Sequence, residues 1–241
     1  MKKVVLITGI GKRLGLALAN HLLAQGYQII GTYRSEYPAI TTLKERGVDL
    51  YPVDFYQQEQ LENFIEQIVS QYDCLRAIIH NASDWLPDAH IKGNAQYSAD
   101  EVMLKMMTIH ASVPYQINLA CEPLLKNTAT EFADVIHISD YVTEKGSKKH
   151  IAYAASKTAM HSLTMSFSAL FAPEVKVNTL SPALIKFNDD DDQKYKEKAF
   201  TKALIPKEAG FNEIIQAVDF IFTSQYITGR NIQIDGGRHL K

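Results

Sequence analysis

A tyrosine and a lysine four residues apart, Tyr153 and Lys157, are the side chains in this sequence best suited to proton transfer. Residues 151–171 have helical periodicity, and a spacing of four places both side chains on one face of a helix, at neighbouring turns. A nearby ammonium group favours the phenolate, so we expect Lys157 to lower the pKa of Tyr153 and make it a proton donor near neutral pH. The same pair is common on solvated helices, so its interpretation depends on the rest of the chain.

The first element expected to position this pair is a strand followed by a glycine turn and a helix. The apolar run 4–7 is typical of a strand buried on both faces, and residues 16–23 have a helical pattern. Glycines let the backbone approach a ligand, and the helix N-terminus presents free N–H groups to a pyrophosphate. The alternative is a tight connection that binds nothing. The candidate residues of this turn are Gly9, Lys12, Arg13, Leu14 and Gly15.

The end of the second strand predicts the choice of cofactor. Residues 28–33 form a strand pattern that ends at Arg34 and Ser35, where proteins that prefer NAD usually carry an acid for the ribose hydroxyls. Arg34, with Lys12 and Arg13 on the first turn, favours a 2′-phosphate instead, because guanidinium groups pair strongly with phosphate oxygens. We therefore predict NADPH rather than NADH.

The remaining elements alternate between strands and helices. Apolar runs predict strands at residues 48–53, 75–79, 135–138, 175–180 and 232–237. Helical periodicity is found at residues 61–72, 100–125, 151–171 and 212–222, with Pro114 expected to kink the second of these. The alternation predicts one α/β domain over residues 1–241, a Rossmann-type doubly wound parallel sheet with helices on both faces. Residues 183–206 are polar, as in a mobile segment that covers a substrate, and the acidic run 189–192 is a solvated loop or a helix start.

Composition excludes several classes of function. The 241 residues carry a net charge of -2, which gives no general attraction to nucleic acid or to an anionic membrane. No apolar run approaches the length of a membrane span, and the Met-Lys-Lys start directly before a strand is not a signal peptide. The two cysteines, Cys74 and Cys121, form no metal-type spacing. We therefore expect a cytoplasmic protein without a metal site.

Further candidates follow the third and fourth strands, at the sheet edge where ligands bind in such folds. Asp54, followed by Phe55, is expected to hydrogen-bond the adenine edge of the cofactor. Trp85, the only tryptophan, either stacks on a planar heterocycle or packs as a partly buried aromatic. The residues between the fourth strand and this tryptophan include Asn81, Ala82 and Ser83.

Five motifs in a fixed order identify the chain as a member of the short-chain dehydrogenase/reductase family over essentially its whole length. They are Thr8-Gly9 with Gly15, Asn81-Ala82, Tyr153 with Lys157, Asn178 with Ser181-Pro182, and Thr228-Gly229 with Asp235-Gly236-Gly237. The resemblance implies that Tyr153 is the proton donor and that Lys157 binds the nicotinamide ribose. It also implies a homotetramer, joined through the long helices and the C-terminal region. The implied cofactor contacts are Gly9, Lys12, Arg13, Leu14, Gly15, Arg34, Ser35, Asp54, Phe55, Asn81, Ala82, Ser83, His110, Ser139, Pro182, Leu184 and Ile185.

Three departures from the family pattern narrow the expected substrate. Most members have a serine thirteen residues before the tyrosine, where this chain has Asp140. Arg13 replaces the usual glycine or alanine of the turn, and His110 replaces the usual asparagine. The first two departures, and an aromatic shortly after Asn-Ala-Ser, resemble the pteridine reductases. A bacterial subgroup, the dihydromonapterin reductases, also described as alternative dihydrofolate reductases, is similar over longer stretches such as residues 150–157 and 172–178.

This resemblance implies NADPH-dependent reduction of 7,8-dihydromonapterin, with weaker action on dihydrofolate and dihydrobiopterin. A carboxyl group can meet the donor-rich edge of an aminopterin, whereas a serine suits a ketone oxygen. We expect the hydride to reach C6 of the pterin and Tyr153, or a water near it, to protonate N5. The expected substrate contacts are Arg13, Ser83, Trp85, Asp140 and Tyr153.

The hypothesis implies that three titratable groups are coupled, and it has two alternatives. An ionised Asp140 would raise the pKa of Tyr153 and oppose Lys157, so these three groups should titrate as a coupled unit. The first alternative function is an ordinary short-chain carbonyl reductase acting on a ketone or a 3-oxoacyl substrate. The second is a dinucleotide-binding sensor without turnover.

Overall fold

Seven parallel strands form one sheet in the order β3-β2-β1-β4-β5-β6-β7 in the computed structural model, which describes residues 3–88, 96–128 and 130–241. The strand order reverses between β1 and β4, so a crevice opens there at the carboxyl ends of the strands. The predicted doubly wound parallel sheet is therefore confirmed. The strands are β1 (Val4–Ile7), β2 (Gln28–Tyr33), β3 (Asp49–Pro52), β4 (Ala77–His80), β5 (Ala133–Ile138), β6 (Val175–Pro182) and β7 (Asn231–Ile234).

Helices cover both faces of the sheet because successive strand residues point to opposite sides. In β1, Val4 and Leu6 join one apolar core, and Val5 and Ile7 join the other. Helices α3, α4, α5 and α7 bury side chains in the first core, and α1, α2 and α9 bury theirs in the second. The helices are α1 (Arg13–Ala24), α2 (Pro38–Glu45), α3 (Gln58–Gln71), α4 (Ala99–Met107), α5 (Val113–Lys126), α6 (Val142–Lys145), α7 (Ile151–Phe171), α8 (Gln193–Phe200) and α9 (Phe211–Thr223).

The long helix predicted at residues 100–125 is divided into α4 and α5 by a π-helical turn, Thr108–Ser112. Pro114 lies in the first turn of α5. Because proline has no N–H to donate to the carbonyl four residues earlier, a continuous α-helix through this point would lose a hydrogen bond and meet a steric clash. The wider π turn precedes the proline, and it contains His110.

Three helices were not predicted from the sequence. Helix α2 begins after Tyr37, with Pro38 in its first turn, and α6 is a single turn after β5. Helix α8 lies within the polar segment 183–206, and Asp192 caps it by accepting a hydrogen bond from the backbone N of Tyr195 at 2.6 Å. The acidic run thus includes a helix start, which was one of the two alternatives.

A buried cluster of charged side chains lies at the amino ends of the central strands, opposite the crevice. Asp134 accepts from Arg76 Nη1 at 2.5 Å and lies 3.1 Å from Lys176 Nζ, and all three side chains are at most 6% exposed. The two cations also donate to the last carbonyls of α9, including those of Ile221 and Phe222. Each charge is therefore paired, as burial requires, and α9 is tied to the first residues of the strands.

The described residues contain neither a membrane-spanning helix nor a cluster of metal-binding side chains. No helix among them is long and apolar enough to cross a bilayer, and no group of three or more His, Cys, Asp or Glu side chains in those ranges could hold a metal ion. Cys74 and Cys121 are both buried free thiols.

Candidate active site

A cavity of about 860 Å³ opens at the carboxyl ends of the strands, around the switch point. It collects residues that are far apart in the sequence, from the glycine turn to the 3₁₀ turn Arg238–Leu240 after β7. Of all the candidate site residues, only His110 does not line it. Those that do are Gly9, Lys12, Arg13, Leu14, Gly15, Arg34, Ser35, Asp54, Phe55, Asn81, Ala82, Ser83, Trp85, Ser139, Asp140, Tyr153, Lys157, Pro182, Leu184 and Ile185.

The glycine turn packs against neighbouring backbone so closely that side chains would not fit, and this leaves its backbone uncovered at the cavity. Gly9 has φ of +73°, and a Cβ there would meet the Cα of Ala82 at 2.9 Å. A Cβ on Gly15 would collide with the carbonyl oxygen of Gly9. Asn81 donates to that same carbonyl at 2.9 Å, so the loop after β4 is fastened to the turn. With α1 beginning at Arg13, the turn offers the N–H groups and close approach that a cofactor pyrophosphate requires.

Arg13 connects the glycine turn to the segment that covers the cavity. Its φ of +50° makes it the one non-glycine residue in the left-handed region within the described ranges. Its guanidinium donates to the carbonyl of Lys186 at 2.6 Å and to Asn188 Oδ1 at 2.9 Å. The backbone strain, about 1–3 kcal/mol for such a residue, is offset by contacts that a glycine could not make. Contacts of Arg13 with a cofactor or a substrate stay a prediction.

Arg34 is held by an acid that the sequence analysis did not assign. Its two terminal nitrogens donate to the two oxygens of Asp84, Nη1 at 2.8 Å and Nη2 at 3.2 Å. Tyr56 Oη also donates to Asp84, at 2.8 Å, and the guanidinium lies 5.8 Å from the Tyr56 ring centroid. Burial and the Asp84 carboxylate raise the pKa of Tyr56, which therefore stays a phenol and a donor. Arg34 thus stands at the cavity wall with a fixed direction and half of its side chain exposed.

The Tyr153 hydroxyl donates a hydrogen bond to Asp140 Oδ2 at 2.9 Å. Burial raises the pKa of Tyr153 well above its usual value, and the Asp140 charge raises it further. Burial also raises the pKa of Asp140. The expectation that Lys157 lowers the pKa of Tyr153 is therefore wrong for this arrangement, and the expected opposition from Asp140 is confirmed. The pair therefore holds one proton between a phenol and a carboxylate at the cavity wall.

Lys157 is fully buried and fixes α7 to the end of β5. Its Nζ donates to the carbonyl of Ile138 at 2.9 Å and lies 5.7 Å from the centroid of the Tyr153 ring. Burial lowers the pKa of Lys157 to about 8, although the Asp140 charge acts in the opposite direction. Ser139, also buried, donates to the backbone carbonyl of Lys157 at 3.3 Å. The ammonium therefore faces the cavity in a position set by the strand rather than by the tyrosine.

His110 lies directly behind the cavity wall, between Ser83 and Ser156. Its Nε2 is 2.7 Å from Ser83 Oγ and its Nδ1 is 2.8 Å from Ser156 Oγ. Burial lowers the pKa of His110 well below its usual value, so the ring is neutral and has one donor and one acceptor nitrogen. Ser156 uses its own hydrogen on the carbonyl of Tyr153, so Nδ1 must donate to Ser156 and Nε2 must accept from Ser83. The hydroxyl hydrogen of Ser83 is therefore used on His110, and its oxygen, at the cavity wall, can accept a hydrogen bond.

Trp85 lines the cavity with 64% of its surface exposed, so it is a partly buried aromatic that also leaves a face open to the cavity. Its ring is stacked on His150, with the ring centroids 4.0 Å apart and the planes inclined by 21°. His150 precedes α7 and its Nδ1 is 3.0 Å from the carbonyl of Leu86. The indole is thus supported on one face, and its exposure is what a stacking platform requires.

Several cavity residues were missed by the sequence analysis. They come from loops and short helices, whose polar residues show no periodic pattern. Asp84 could have been found from the sequence because it is an acid beside the only tryptophan. Lys148 and Lys149 could have been found because they are adjacent cations just before the helix that carries Tyr153. The missed residues with polar groups include Tyr56, Asp84, Tyr141, Lys148, Lys149, Tyr195, Lys202 and Arg238.

Comparison with known proteins decides the family. A family model described as enoyl-(acyl carrier protein) reductase matches residues 9–239. The chain belongs to the short-chain dehydrogenase/reductase family. Within this family fold, the glycine turn, Tyr153 and Lys157 occupy one cavity, as the motifs predicted.

Two curated relatives and one solved structure illustrate the similarity. The chain is 47% identical over 237 residues to a dihydromonapterin reductase of Klebsiella pneumoniae, covering 98% of this chain and 97% of the relative. It is 44% identical over 237 residues to a dihydromonapterin reductase of Escherichia coli, with the same two coverages. The fold matches that of the FolM alternative dihydrofolate reductase 1 from Brucella canis complexed with NADP, with a TM-score of 0.86, 20% identity, and coverage of 99% of this chain and 94% of that one.

Asp140→Asn tests the coupling between the carboxylate and Lys157. Because Lys157 has a pKa of about 8, we expect kcat/KM for NADPH in the wild-type protein to fall as the pH rises past about 8. Asp140 raises that pKa, so its neutral amide should move the alkaline limb down by roughly one pH unit. The measurement is the pH profile of initial rates. Glu144→Gln, the same change at an exposed acid nearby, should leave the limb in place, and an unshifted limb in Asp140→Asn would refute the coupling.

Proposed function

We propose that this protein is an NADPH-dependent dihydropterin reductase that converts 7,8-dihydromonapterin to tetrahydromonapterin, with weaker action on dihydrofolate and dihydrobiopterin. The observation that carries the proposal is the hydrogen bond between Tyr153 and Asp140 in the cavity, at the place where most family members have a serine. The names of the relatives at 44% and 47% identity support the same activity. The family relationship supports the hydride chemistry, and Asp140 supports the choice of an aminopterin.

The acceptors in the cavity favour a pterin over a ketone. A 2-aminopterin presents a row of N–H donors, and Asp140 with the lone pairs of Ser83 offers acceptors to such an edge. A carbonyl oxygen, in contrast, needs donors, and an ionised carboxylate in place of a serine would repel the developing negative charge. Trp85 offers an exposed planar face for the ring. These features weigh against the carbonyl reductase alternative.

In the proposed reaction, Tyr153 transfers the proton, and Asp140 and Lys157 position the pterin and the cofactor. NADPH, when bound on the glycine turn, supplies the hydride that reaches C6 of the dihydropterin. Tyr153 keeps its proton because of its raised pKa and can release it towards N5, directly or through a water. Asp140 orients that hydroxyl and can bind the pterin edge. The Lys157 ammonium can donate a hydrogen bond to a ribose hydroxyl of the cofactor.

A substrate comparison tests the proposed activity. We expect NADPH oxidation with 7,8-dihydromonapterin to exceed that with dihydrofolate, and a 3-oxoacyl thioester to give no turnover. Tyr153→Phe removes the proton donor and should lower kcat about 10²–10⁴-fold. Multiple turnovers in the spectrophotometric assay would exclude the sensor alternative. Faster reduction of the thioester than of either pterin would overturn the proposal.

The choice of NADPH is tested at Arg34. Arg34→Gln removes charge-assisted bonds worth about 1.5–3 kcal/mol, so kcat/KM for NADPH should fall about 10–100-fold. The value for NADH should change little, because NADH has no 2′-phosphate. Asp84→Asn is the matched variant: it removes the carboxylate that occupies both terminal nitrogens, and we expect kcat/KM for NADPH to rise. An equal loss with both cofactors in Arg34→Gln would show that the residue only supports the fold.

We also propose that the protein is a cytoplasmic homotetramer. Two buried free thiols suit a reducing compartment. Apolar side chains on α4, α5 and α7 are more than a third exposed, and Tyr115 of α5 lies 6.0 Å from Phe167 of α7 by ring centroids, so these helices form a continuous surface. A second copy of the chain would cover it. The large apolar residues exposed on these helices are Met103, Leu104, Tyr115, Leu119, Ile151, Met165 and Leu170.

Sedimentation velocity tests the assembly. We expect the wild-type protein to sediment as a tetramer and Leu119→Asp, which places a charge in the apolar surface, to dissociate it. Val69→Asp adds the same charge at an exposed apolar site on α3 and should stay tetrameric. A monomeric wild-type protein would overturn this part of the proposal.

A further inference from the structure

The outer part of the cavity contains four cations that the proposed reaction does not use. Lys148 and Lys149 lie in the loop before α7, Lys202 follows α8, and Arg238 begins the 3₁₀ turn after β7. All four line the same cavity as Asp140 and Tyr153. Three separate parts of the chain therefore bring positive charge to one opening, which we call the cationic mouth.

The charges of the cationic mouth are not paired in salt bridges with other described side chains, although the Asp140 carboxylate lies near enough to Arg238 to feel its charge. None of these four side chains forms a salt bridge within the described ranges. Partial burial lowers the pKa of Lys202, and the charges of Arg238, Lys198 and Lys149 lower it further. The cations therefore repel one another, in a protein whose net charge is -2. Exposed cations elsewhere do find acids, as in the Lys126–Glu122 pair at 2.7 Å.

Helix electrostatics do not account for this arrangement. Cations near the end of α8 favour its dipole, which explains Lys198 and Lys202. Lys148, Lys149 and Arg238 belong to other elements. The acidic run 189–192 lies at the opposite end of α8, about 12 Å away along an eight-residue helix, and none of its residues lines the cavity. The run is thus not placed to repel a ligand in the cationic mouth.

The cationic mouth is on the substrate side of the cavity. Lys12 and Arg34, expected at the cofactor phosphates, follow β1 and β2, whereas the mouth lies beyond the ends of β5, β6 and β7, on the other half of the sheet. The Arg238 guanidinium lies 4.7 Å from the ring centroid of Tyr141, and its charge lowers the pKa of the adjacent Asp140. On the other side, the carbonyl of Lys149 accepts from the backbone N of Asp88, in the loop that carries Trp85.

There is also room beyond the catalytic groups. A second cavity of about 360 Å³ shares Ala183, Leu184, Ala199 and Arg238 with the first. Its other charged lining residues are Lys207, Glu213 and Asp235, so the positive charge lies at the shared end, where Arg238 is. A pterin stacked on Trp85 with its edge at Asp140 therefore has space and positive charge beyond its ring. These two properties suit a substituent that is negatively charged.

We propose that the cationic mouth is a subsite that binds an anionic tail on the dihydropterin, either the carboxylates that dihydrofolate carries or the phosphates of a phosphorylated pterin. This inference rests on the proposed pterin reduction and deepens it, because it names the side chains that receive the charged substituent. Lys149, Lys202 and Arg238 bind the anionic groups, and the ring occupies the same place as that of a neutral pterin. Charge-assisted bonds to phosphate or carboxylate stabilise the complex more than bonds to hydroxyl groups do.

The experiment compares matched substrates that differ only in the tail, each with NADPH. In the phosphate arm, 7,8-dihydroneopterin triphosphate is compared with 7,8-dihydroneopterin. In the carboxylate arm, dihydrofolate triglutamate is compared with dihydropteroate. We expect kcat/KM to be about tenfold higher for the charged member of at least one pair, and this ratio to fall as salt is raised from 20 to 200 mM, because screening weakens exposed charges. The arm with the larger ratio identifies the anionic group.

Variants assign the effect to the cationic mouth. The double variant Lys149→Gln with Lys202→Gln should reduce the charged-to-neutral ratio about tenfold, to near one, since two charge-assisted contacts are lost. Arginine at both positions keeps the charge and should keep most of the ratio. Lys194→Gln, at an exposed position on α8 outside the cavity, should leave the ratio unchanged.

The outcomes separate this inference from the proposed function. A ratio near one in both arms, or a ratio that the double variant does not lower, would overturn the anionic tail site while pterin reduction stands. If no pterin is reduced, the proposed function fails, and the tail site is then decided by calorimetric dissociation constants for the same pairs. Tighter binding of the charged member that the double variant abolishes supports the site, and equal binding overturns it.

Discussion

The hydrogen bond between Tyr153 and Asp140 depends on the contact of one strand end with one helix start, and the rest of the site is arranged around that contact. Lys157 donates to the carbonyl of Ile138, and Ser139 donates to the carbonyl of Lys157, so β5 and the first two turns of α7 are joined at three points. Two of these bonds are buried and the bond between Tyr153 and Asp140 is partly buried. Their combined effect is to hold a phenol, a carboxylate and an ammonium in fixed positions, where small changes in charge alter all three protonation equilibria.

The fold could be predicted from the sequence where burial controls residue type. A parallel strand covered on both faces favours apolar residues, as in β1 and β4, which are buried throughout. Each run predicted as a strand overlaps a strand of the sheet, including the partly exposed edge strands β3 and β7. The bounds of α7 agree with the prediction because its periodicity is long and Pro173 lies beyond it. Helix α8 was missed because its sequence, Gln193–Phe200, has few apolar residues and derives its start from the Asp192 cap.

The composition of the site could be predicted, but not the partners of its charged side chains. The family motifs placed Arg13 and Arg34 at the cavity, where both are found. Arg13, however, reaches Asn188, 175 positions away, and Arg34 reaches Asp84, 50 positions away, and no local pattern encodes such contacts. The pKa of Tyr153 was expected to fall because a lysine is near in sequence. It rises because burial is the largest influence, and burial is a property of the whole fold.

The π-helical turn that contains His110 also sets the angular relation of α4 and α5. A π turn holds one residue more than the α-helical turn it replaces, and one residue corresponds to about 100° around a helix axis. The buried residues Met106 and Ile109 lie before and within the turn, Val113 and Ile117 lie after it, and all four belong to the same apolar core. The wider turn thus absorbs the surplus residue as a phase correction: one apolar stripe keeps facing the sheet on either side, while an imidazole is directed inward. Loss of a single residue from Thr108–Ser112 would restore an ordinary α-helical turn of nearly the same rotation, so α4 and α5 would keep their common apolar stripe, but the imidazole of His110 would lose the wider turn that directs it inward.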